Sequence, residues 1–542
     1  MSSQEFSEQL TFLLLQFKKE LSCYEDYVSD RLKHILSALE KLLSPLDMES
    51  KKMVMKEIRG LIKEEHIYVS VYLYSFLLHM TQEEQDLLTC FKCIEKTDKL
   101  SAYSKYFLYY QLKIYMFLVV DLDTDKARVS KWSLFHQIYN EFRKKISAPL
   151  TYIPEKDRNK NLVVMITEQM LNDRIGPTRT AMERSASIVQ DWKKNILLIS
   201  TAEAASLIGE INFYEGKVGN YLEEWRQRDF IEWNGVKIPF FQCDNNMPDA
   251  EVMDMLLLQI RQLSPMYVIT LGGSSVLANM VNEMIPVLTI GLGFSELEPT
   301  QTMYQSLCRK MRESDRNLIE AAGMAEEHVI ETTFTFDLKN SSVVFTRTEM
   351  GVPEEKFILA VVGTRLDMEI SSDFLEMLDR LCATDDYYVV FAGVFDTYQE
   401  KLRNLKNISS QSKFCGYQND MLAFLGMCDL FVNPIRKGGG TTAVEAMIQG
   451  LPVVTTPYGD IAADVGENFW VKDYEEMYER IQYYHTDREY YMIRSQEAEK
   501  IAKYLTEDKS AFIDLLVEYG NRMHKFDMEI SKSREFLEEW EV

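Results

Sequence analysis

The sequence predicts an α/β protein with two Rossmann-like, doubly wound domains in tandem, preceded by an all-helical N-terminal domain. Three observations lead to this prediction. Apolar residues recur at helical spacing through the first part of the chain, where Gly60 is the only glycine up to about residue 150. From about residue 160, short β-rich runs alternate with helical stretches, which is typical of parallel βαβ units. This alternation occurs twice, on either side of a turn-forming "GVPEE" segment.

The N-terminal domain is predicted over residues 1–155. Its first segments carry apolar residues three and four positions apart, as an amphipathic helix requires: Leu10, Leu13, Leu14 and Phe17, then Leu32, Ile35, Leu36, Leu39 and Leu42. Two aromatic-rich stretches, "HIYVSVYLYSFLLHM" and "YSKYFLYYQLKIYMFLVV", follow and are interpreted as buried helices. We expect this domain to bind a substrate or a partner protein, or to form a homo-oligomer.

The two α/β domains are predicted over residues 156–345 and 346–515, and a C-terminal helix over 516–542. The first contains the strand-like runs "NLVVMIT", "NILLIST", "MYVITLGG" and "PVLTIGLGF". The second contains "FILAVVGT", "YYVVFAG", "LFVNPI" and "LPVVTTP". Each run is bounded by a turn and followed by a helical stretch, so parallel sheets are expected in both domains.

Charge and hydropathy exclude several classes of protein. The 542 residues include 60 Lys and Arg against 84 Asp and Glu, a formal net charge of −24. Nucleic-acid binding needs a net basic face, which this balance disfavours, although one small cationic pocket is compatible with it. The acidic start "MSSQEFSEQL" does not resemble a secretory signal. No apolar run approaches the roughly 18 residues of a membrane span, so a cytoplasmic protein without a transmembrane segment is predicted.

The two α/β halves resemble each other in one segment. "GGSSVLANMVNEMIPVLTI" starts at Gly272 and "GGTTAVEAMIQGLPVVTT" starts at Gly439. Each predicts a glycine turn, a helix beginning at two hydroxyl residues, and a proline before a buried strand. A shared fold and a true duplication both explain the likeness. Glu445 stands where the first half has Ala278, so the second half is predicted to have gained a ligand-binding carboxylate.

Three loops of the second half are predicted to form one binding site. In an open α/β sheet, ligands bind beyond the carboxyl ends of the strands, near helix N-termini. The loops are "VVGTRLD", "FCGYQNDM" and "NPIRKGGGTTAVEAM". Glycines allow close backbone approach, and arginine binds phosphate bidentately. The expected ligand-binding residues are Gly363, Thr364, Gly416, Tyr417, Arg436, Gly438, Gly439, Gly440, Thr441 and Thr442.

Three further side chains of these loops, Arg365, Lys437 and Glu445, are assigned the catalytic roles. Arg365 and Lys437 supply positive charge for phosphates, and Glu445 follows one helical turn, roughly 5 Å, after the predicted helix start. Amides and cations suit a diphosphate, and a carboxylate suits ribose hydroxyls. The sequence therefore predicts a nucleotide-diphosphate site in the second α/β domain.

The segment from "NPIRKGGGTTAVEAM" through "WVKDYEEM" resembles the donor-binding segment of GT-B glycosyltransferases, in particular the large retaining, family 4-like group. The resemblance covers residues 345–505 closely and residues 160–345 by pattern. It implies that Glu445 binds ribose, that Arg365 and a nearby Lys bind the diphosphate, and that the acceptor sits on the first α/β domain. It also implies catalysis without a bound metal and a C-terminal helix that crosses back onto that domain.

The sequence departs from this group at one position. The retaining enzymes usually carry two glutamates eight residues apart, and here Lys437 replaces the first. Retention versus inversion of the anomeric centre therefore stays open. No histidine occurs between His136 and His328, so a histidine general base on the first α/β domain is not expected. Possible carboxylate bases are Glu168, Asp173 and Glu203.

Two loops of the first α/β half are predicted to face the acceptor. One is the helix start "GPTR" with Gly176, Thr178 and Arg179, for which a plain βα turn is an equal alternative. The other is "LGGSSV", where the N–H groups of Gly273 and Ser274 are available to a sugar or acceptor.

No metal site is predicted. Cys90 and Cys93 form one CxxC within a helix-like stretch, but no second ligand pair completes a zinc site. "FLVVDLDTD" places Asp121, Asp123 and Asp125 after an apolar run, like the metal-binding motif of the other glycosyltransferase fold. Its neighbours are helical and free of glycine, so we interpret it as a solvated helix end.

Together the patterns and the resemblance predict a hexosyltransferase-type enzyme that uses a nucleotide-diphosphate sugar, UDP-sugar first, and no cofactor. The acceptor is a protein, a glycan or a lipid-linked molecule, and the domain arrangement resembles bacterial cytoplasmic protein glycosyltransferases. The alternative is a catalytically inactive GT-B partner of a glycosyltransferase or secretion complex, which Lys437 at the usual glutamate position favours. A third hypothesis for the function is a GT-B-type epimerase.

Overall fold

The computed structural model describes residues 3–22, 27–62, 66–173, 175–205, 209–338, 341, 343–508 and 510–540. The N-terminal part is helical, as predicted. Its seven α-helices are α1 Ser3–Ser22, α2 Asp30–Leu43, α3 Met48–Arg59, α4 Ile67–Thr81, α5 Glu84–Glu95, α6 Ala102–Leu118 and α7 Asp125–Arg143. In α2 the predicted apolar positions Leu32, Leu36 and Leu39 are buried, and the Ser29 hydroxyl caps the helix start by accepting from the Leu32 N–H.

The first sheet has eight strands. They are β1 Asn159–Thr167, β2 Asn195–Ser200, β3 Phe230–Trp233, β4 Val236–Gln242, β5 Pro265–Leu271, β6 Val287–Ile290, β7 Tyr304–Leu307 and β8 Val329–Glu331. Their order is β3-β4-β2-β1-β5-β6-β7-β8, and every pair is parallel except β3 with β4. The helices of this region are α8 Gly176–Gln190, α9 Glu223–Arg226, α10 Ala250–Leu263, α11 Val276–Val281 and α12 Glu313–Ala322.

The second sheet has five parallel strands in the order β11-β10-β9-β12-β13. They are β9 Phe357–Gly363, β10 Tyr387–Gly393, β11 Ser412–Phe414, β12 Leu430–Val432 and β13 Val453–Val454. The helices are α13 Leu366–Glu369, α14 Ser372–Leu381, α15 Tyr398–Leu402, α16 Met421–Leu425, α17 Gly440–Ile448, α18 Gly459–Val465, α19 Tyr474–Thr486 and α20 Arg488–Glu507. A last helix, α21, spans Ser510–Trp540.

The continuous apolar runs of the sequence form strands whose side chains are buried on both faces of the sheet. In β9, Ile358, Ala360 and Val362 pack into one buried cluster, whereas Leu359 and Val361 pack into another. Parallel strands flanked by helices bury both sides in this way. The predicted fold class, two doubly wound α/β units after a helical region, is confirmed.

Five strands of the described part of the chain were not predicted. Three of them, β7, β8 and β11, are only three or four residues long. The antiparallel pair β3–β4 is joined by Asn234 and Gly235, both with positive φ, 48° and 76°. Asn-Gly is the preferred sequence of a two-residue hairpin turn, so this hairpin carried a readable signal that the βαβ interpretation passed over.

The helical region shares a hydrophobic core with the first sheet. One buried cluster includes Leu36 of α2, Tyr109 of α6, Val164 of β1 and Leu516 of α21. Helix α21 packs on the same sheet, where the Tyr519 hydroxyl lies 3.0 Å from the Val268 carbonyl oxygen, its acceptor. Among the helices of the described residues, none is both long enough and apolar enough to cross a membrane.

One ion pair anchors α21. The Arg158 side chain is fully buried, and its guanidinium lies 3.2 Å from the Asp527 carboxylate, which is 8% exposed. Asp527 also accepts hydrogen bonds from the Tyr152 hydroxyl at 2.5 Å and the Glu155 N–H at 2.9 Å.

We expect Asp527→Ala to destabilise the protein by about 3 kcal/mol or more, because it leaves the Arg158 guanidinium buried without a counter-charge. Urea unfolding followed by circular dichroism measures this. Asp514→Ala, an exposed position on the same helix, is the control and should change stability by less than about 0.5 kcal/mol. Equal effects of the two substitutions would contradict the anchoring role.

Candidate functional site

Two loops of the second sheet meet around a glutamate. Strand β9 ends at Gly363, where a Cβ atom would lie 2.6 Å from the Arg436 guanidinium. The missing side chain therefore gives room to an arginine from the loop after β12. The Glu369 carboxylate binds Arg365 at 2.8 Å and Arg436 at 2.9 Å. Burial raises the pKa of Glu369, but these two guanidinium groups outweigh it and hold the pKa below its usual value.

The second arginine keeps an unused donor. Arg436 is 3% exposed; its Nε donates to Asn433 at 2.7 Å and its Nη1 to Glu369. Its Nη2 is buried and has no hydrogen-bond partner. A Cβ at Gly439 would lie 3.0 Å from this atom. A buried guanidinium donor without an acceptor is costly, so this position favours an anion.

Helix α17 begins at the same place. Its N-cap residue, Gly439, has φ +107° and no side chain caps the helix. The first amides of a helix have no partner within it, and the helix dipole favours negative charge there. A Cβ at Gly438 would lie 3.3 Å from the Arg365 Nη2. The glycine turn thus brings Gly438, Gly439 and Gly440, the half-buried Thr441 and Thr442, and two arginines together.

The remaining donor-side positions lie on neighbouring loops. Gly416 has φ +68° and its carbonyl oxygen accepts from the Gly393 N–H at 2.9 Å. The Tyr417 side chain is 51% exposed, and Thr364 is exposed. Both are free to contact a ligand.

Glu445 is an unused carboxylate at this site. It lies on α17, and no hydrogen bond or ion pair of the described residues satisfies it. Burial raises the pKa of Glu445 to about 7, partly opposed by the charge of Arg179 from the first α/β region. Asp420 adds to the rise, so charges from both α/β regions act on the Glu445 carboxyl.

Lys437 is held by a residue of the helical region. Its ammonium lies 2.8 Å from the Asp123 carboxylate, whose side chain is 1% exposed. Asp123 also accepts from Arg128 at 2.6 Å and from the Tyr458 hydroxyl at 3.1 Å. Despite burial, Lys437 and Arg128 hold the pKa of Asp123 far below its usual value. The interpretation of this stretch as a solvated helix end is wrong for Asp123, because the rest of the chain folds over it.

The helical region contacts the site at a second point. The Arg365 guanidinium stacks over the Phe117 ring of α6, 5.0 Å from its centroid. Sequence reasoning missed Asp123, Glu369, Phe117 and Tyr458. Only Glu369 carried a local signal, since it follows Arg365 by four residues and an (i, i+4) pair is a common helical ion pair.

The acceptor-side loop around Ser274 is already satisfied by the protein. The Ser274 N–H donates to Glu168 at 2.5 Å, and its hydroxyl contacts Tyr109 at 2.8 Å and Lys113 at 3.0 Å. A Cβ at Gly273 would lie 2.3 Å from the Glu298 side chain. The Ser274 N–H is therefore not open to a ligand in this structure.

The other acceptor-side residues begin α8. Gly176 is its first residue, and the buried Thr178 hydroxyl accepts from the Leu171 N–H at 2.6 Å. Arg179 binds Glu183 at 2.6 Å and donates to the Asp337 carbonyl oxygen. Thr178 thus fixes the loop before the helix, and Arg179 is the member of this group that acts on Glu445.

The three possible bases differ in environment. Glu203 is buried and accepts from the Val276 and Leu277 N–H groups at 2.8 and 3.3 Å. Burial raises the pKa of Glu203 to about 7 and also raises that of Glu168. Asp173 is exposed. Within the described part of the chain, no three His, Cys, Asp or Glu side chains converge as metal ligands.

Comparisons with known proteins identify the domain to which these loops belong. A family model described as glycosyl transferases group 1 matches residues 345–501, so the second α/β region carries a domain of that family. The UDP-N-acetylglucosamine--N-acetylmuramyl-(pentapeptide) pyrophosphoryl-undecaprenol N-acetylglucosamine transferase of Desulfitobacterium hafniense (strain Y51) is 32% identical over 117 residues. That match covers 21% of this chain and 31% of the relative, so the chain spans about a third of that relative's length.

The fold matches over nearly the whole chain. The solved structure of a mutant of the Thermobaculum terrenum O-GlcNAc transferase aligns with 98% of this chain and 100% of its own. The TM-score is 0.56 at 12% sequence identity. A helical N-terminal region followed by two parallel α/β units of the GT-B type is therefore the fold of this protein, and the resemblance found in the sequence is confirmed.

We expect Asp123→Asn to destabilise the protein by about 3 kcal/mol, since it leaves Lys437 and Arg128 buried with less counter-charge. Because the pKa of Asp123 is depressed, its stabilisation is present above the unfolded value, about 3.9, and is lost as pH falls towards the folded value. Urea unfolding should show the gap between wild type and variant shrinking below about pH 4. Asp121→Asn, two residues away and exposed, is the control. A gap that is independent of pH, or equal for both variants, would contradict this account.

Proposed function

We propose that the protein is a glycosyltransferase that transfers a sugar from a nucleotide-diphosphate sugar, with the donor bound to the second α/β region. One observation carries the proposal: the uncapped start of α17 lies beside the unpartnered Nη2 of Arg436. A diphosphate would satisfy both groups at once, since helix amides and guanidinium donors are preferred phosphate ligands. Arg365 and Lys437 flank the same turn.

The comparable turn of the first α/β region supports this assignment by contrast. There, Glu203 accepts from the first amides of α11 and Glu168 accepts from the Ser274 N–H. The protein thus supplies its own carboxylates at one glycine turn. At the other turn, the buried Asp464 carboxyl lies against Gly440, but its Oδ2 has no hydrogen-bond partner and burial raises its pKa. No described side chain accepts from the α17 amides, so an external anion fits there.

Glu445 is proposed to bind the ribose hydroxyls. It follows the helix start by one turn, and an ionised carboxylate accepts two hydroxyl hydrogen bonds. The names of two proteins similar to this chain contain N-acetylglucosamine or GlcNAc transferase, and one specifies a UDP donor. A UDP-sugar is therefore the first donor to test.

Catalysis is proposed to rest on electrostatic stabilisation of the departing diphosphate. Negative charge grows on the leaving oxygen as the bond to the sugar breaks. We propose that Arg365, Lys437 and the start of α17 at Thr441 meet that charge, since preoriented donors of this kind give large rate effects. The charge would thus come from protein groups, and we propose that the reaction is metal-independent.

The acceptor side is proposed to involve the first α/β region and the helical region. Arg179 acts on Glu445 across the cleft, and Phe117 covers Arg365. A protein acceptor is our preferred proposal, with glycan and lipid-linked acceptors as alternatives.

An inactive GT-B partner is the second candidate function, and one observation favours it. The Lys437 ammonium is already paired with Asp123 at 2.8 Å, so this cation is committed to the protein when no donor is bound. In a protein without catalytic activity, the Lys437–Asp123 ion pair would stabilise the contact between the helical region and the second α/β region.

Calorimetric titration with UDP tests the donor site. Arg365→Ala and Glu445→Ala should each weaken binding by about 10- to 100-fold, the worth of a charge-assisted hydrogen bond. Since burial raises the pKa of Glu445 to about 7 and only the ionised form accepts two hydroxyls, UDP affinity should rise between pH 6 and 8. Glu445→Gln removes that rise, and comparison with wild type cancels the titration of UDP itself. Arg380→Ala, which breaks an exposed pair with Glu475, is the control. Unchanged affinity in both test variants would overturn the site assignment.

Hydrolysis of UDP-sugars without acceptor separates an enzyme from an inactive partner. We expect slow release of UDP that falls at least tenfold in Lys437→Met, because the leaving diphosphate loses a cation. Lys472→Met, at an exposed lysine, should leave the rate unchanged. Intact UDP binding with no turnover across UDP-, GDP- and ADP-sugars would favour the inactive partner.

A further inference from the structure

A second cavity lies beside the proposed donor site. Its volume is about 730 Å³, and it is lined by residues of the helical region, the loop at residues 213–217 and the second α/β region. This size is in the range of ligand pockets, about 300–1,000 Å³. Glu369 and Ile435 form part of its wall, and Glu369 also holds the two arginines of the donor site. The cavity therefore borders the donor site without including its glycine turn.

The lining of this cavity is acidic. Six carboxylates line it against one lysine, Lys217: Glu40, Asp121, Glu215, Asp367, Glu369 and Asp373. Glu369 is balanced by arginines, and Glu40 is bonded to His79 and Tyr214. Asp121, Glu215 and Asp373 are exposed and form no ion pair or side-chain hydrogen bond with any described residue. These three carboxylates are available to cations.

A buried amide adds a different requirement. Gln111 of α6 lines the cavity and is 3% exposed. Its Oε1 accepts from the Phe213 N–H at 3.1 Å, whereas its Nε2 is buried without a partner. An unsatisfied amide donor in a pocket wall calls for an acceptor such as a carbonyl oxygen.

The wall between these polar groups is apolar and aromatic. It includes Leu78, Leu112, Leu118, Met368 and Tyr474. The aliphatic stems of lysine and arginine pack on such surfaces while their charged ends reach polar groups.

We propose that this cavity binds an extended polypeptide segment with Lys or Arg side chains, and that this segment belongs to the acceptor. The acceptor role rests on the proposed function. A polypeptide supplies the carbonyl oxygen for Gln111, the aliphatic stems for the apolar wall and the cations for Asp121, Glu215 and Asp373. A neutral glycan offers no cation to these carboxylates, and a second copy of this chain, at a net charge of −24, would be repelled.

Fluorescence anisotropy without donor tests the site. The probe is a labelled twelve-residue peptide of alternating Lys and Ser, compared with its Glu-Ser counterpart. We expect only the basic peptide to bind, and the triple variant Asp121→Asn/Glu215→Gln/Asp373→Asn to weaken its binding at least tenfold. The matched control changes the same net charge away from the cavity, Glu224→Gln/Asp229→Asn/Glu251→Gln, and should stay within twofold. All six positions are exposed, so both variants are expected to fold.

Each other outcome overturns the proposal. Equal losses in both triple variants would show attraction by net charge alone. Displacement of the peptide by spermine, added to give the same concentration of positive charges, would assign the cavity to small polycations instead of polypeptide. Failure of the wild-type protein to bind the basic peptide, with normal UDP titration, would refute this inference and leave the proposed function standing. Peptide binding without UDP binding would refute the donor site, and the acceptor role with it.

Discussion

The buried Asp123 carboxylate is the contact on which the site depends most. It comes from the helical region, yet its partners are Arg128 of α7, Lys437 of the loop before α17, and Tyr458 of the turn before α18. The loop at 436–440 would otherwise be free to move, because three of its five residues are glycine. One carboxylate thus fixes both the lysine and the direction in which the glycine turn enters its helix. The helical region consequently forms part of the proposed donor site, and it shares its core with the first sheet.

The two glycine turns show how one local structure serves two purposes. Gly272 and Gly439 occupy equivalent sequence positions, and both have positive φ, 89° and 107°. At the first turn, Glu168 and Glu203 occupy the amides and make the site a closed part of the core. At the second turn, Glu445 lies further along the helix. No described carboxylate accepts from the first α17 amides, of which Thr442 N–H donates only to the Gly439 carbonyl oxygen, at 3.1 Å. The asymmetry noticed in the sequence as Ala278 against Glu445 therefore extends to the acids that face each turn from elsewhere in the chain.

Local sequence patterns predicted the fold well, but they did not predict side-chain contacts between residues that are distant in the sequence. The runs at β1, β2, β5, β9 and β10 were identified because a buried parallel strand is continuously apolar. Arg365, Arg436, Lys437 and Glu445 were identified as a group because glycine turns and strand ends follow one another along the sequence. Asp123 was missed in this role, since an ion pair between residues 123 and 437 has no expression in sequence spacing. Glu369 was missed although its (i, i+4) spacing to Arg365 is a local signal, because its second partner, Arg436, is distant in sequence. The residue-level assignments of donor and acceptor positions stay predictions.

The positive charges at this site are nearly balanced by acidic side chains. Each cation beside the glycine turn is paired with an acid: Arg365 and Arg436 share Glu369, and Lys437 shares Asp123 with Arg128. Pairing reduces the net attraction for an anion, but it also holds each cation in one orientation before any ligand arrives. A preoriented cation loses little side-chain entropy on binding and needs no reorganisation as charge develops. Here the cations exceed their shared acids by one in the Glu369 group, and the helix start adds to that excess. The protein as a whole has a net charge of −24 and repels anions. An excess of one positive charge therefore favours only those anions that contact both Arg436 Nη2 and the start of α17.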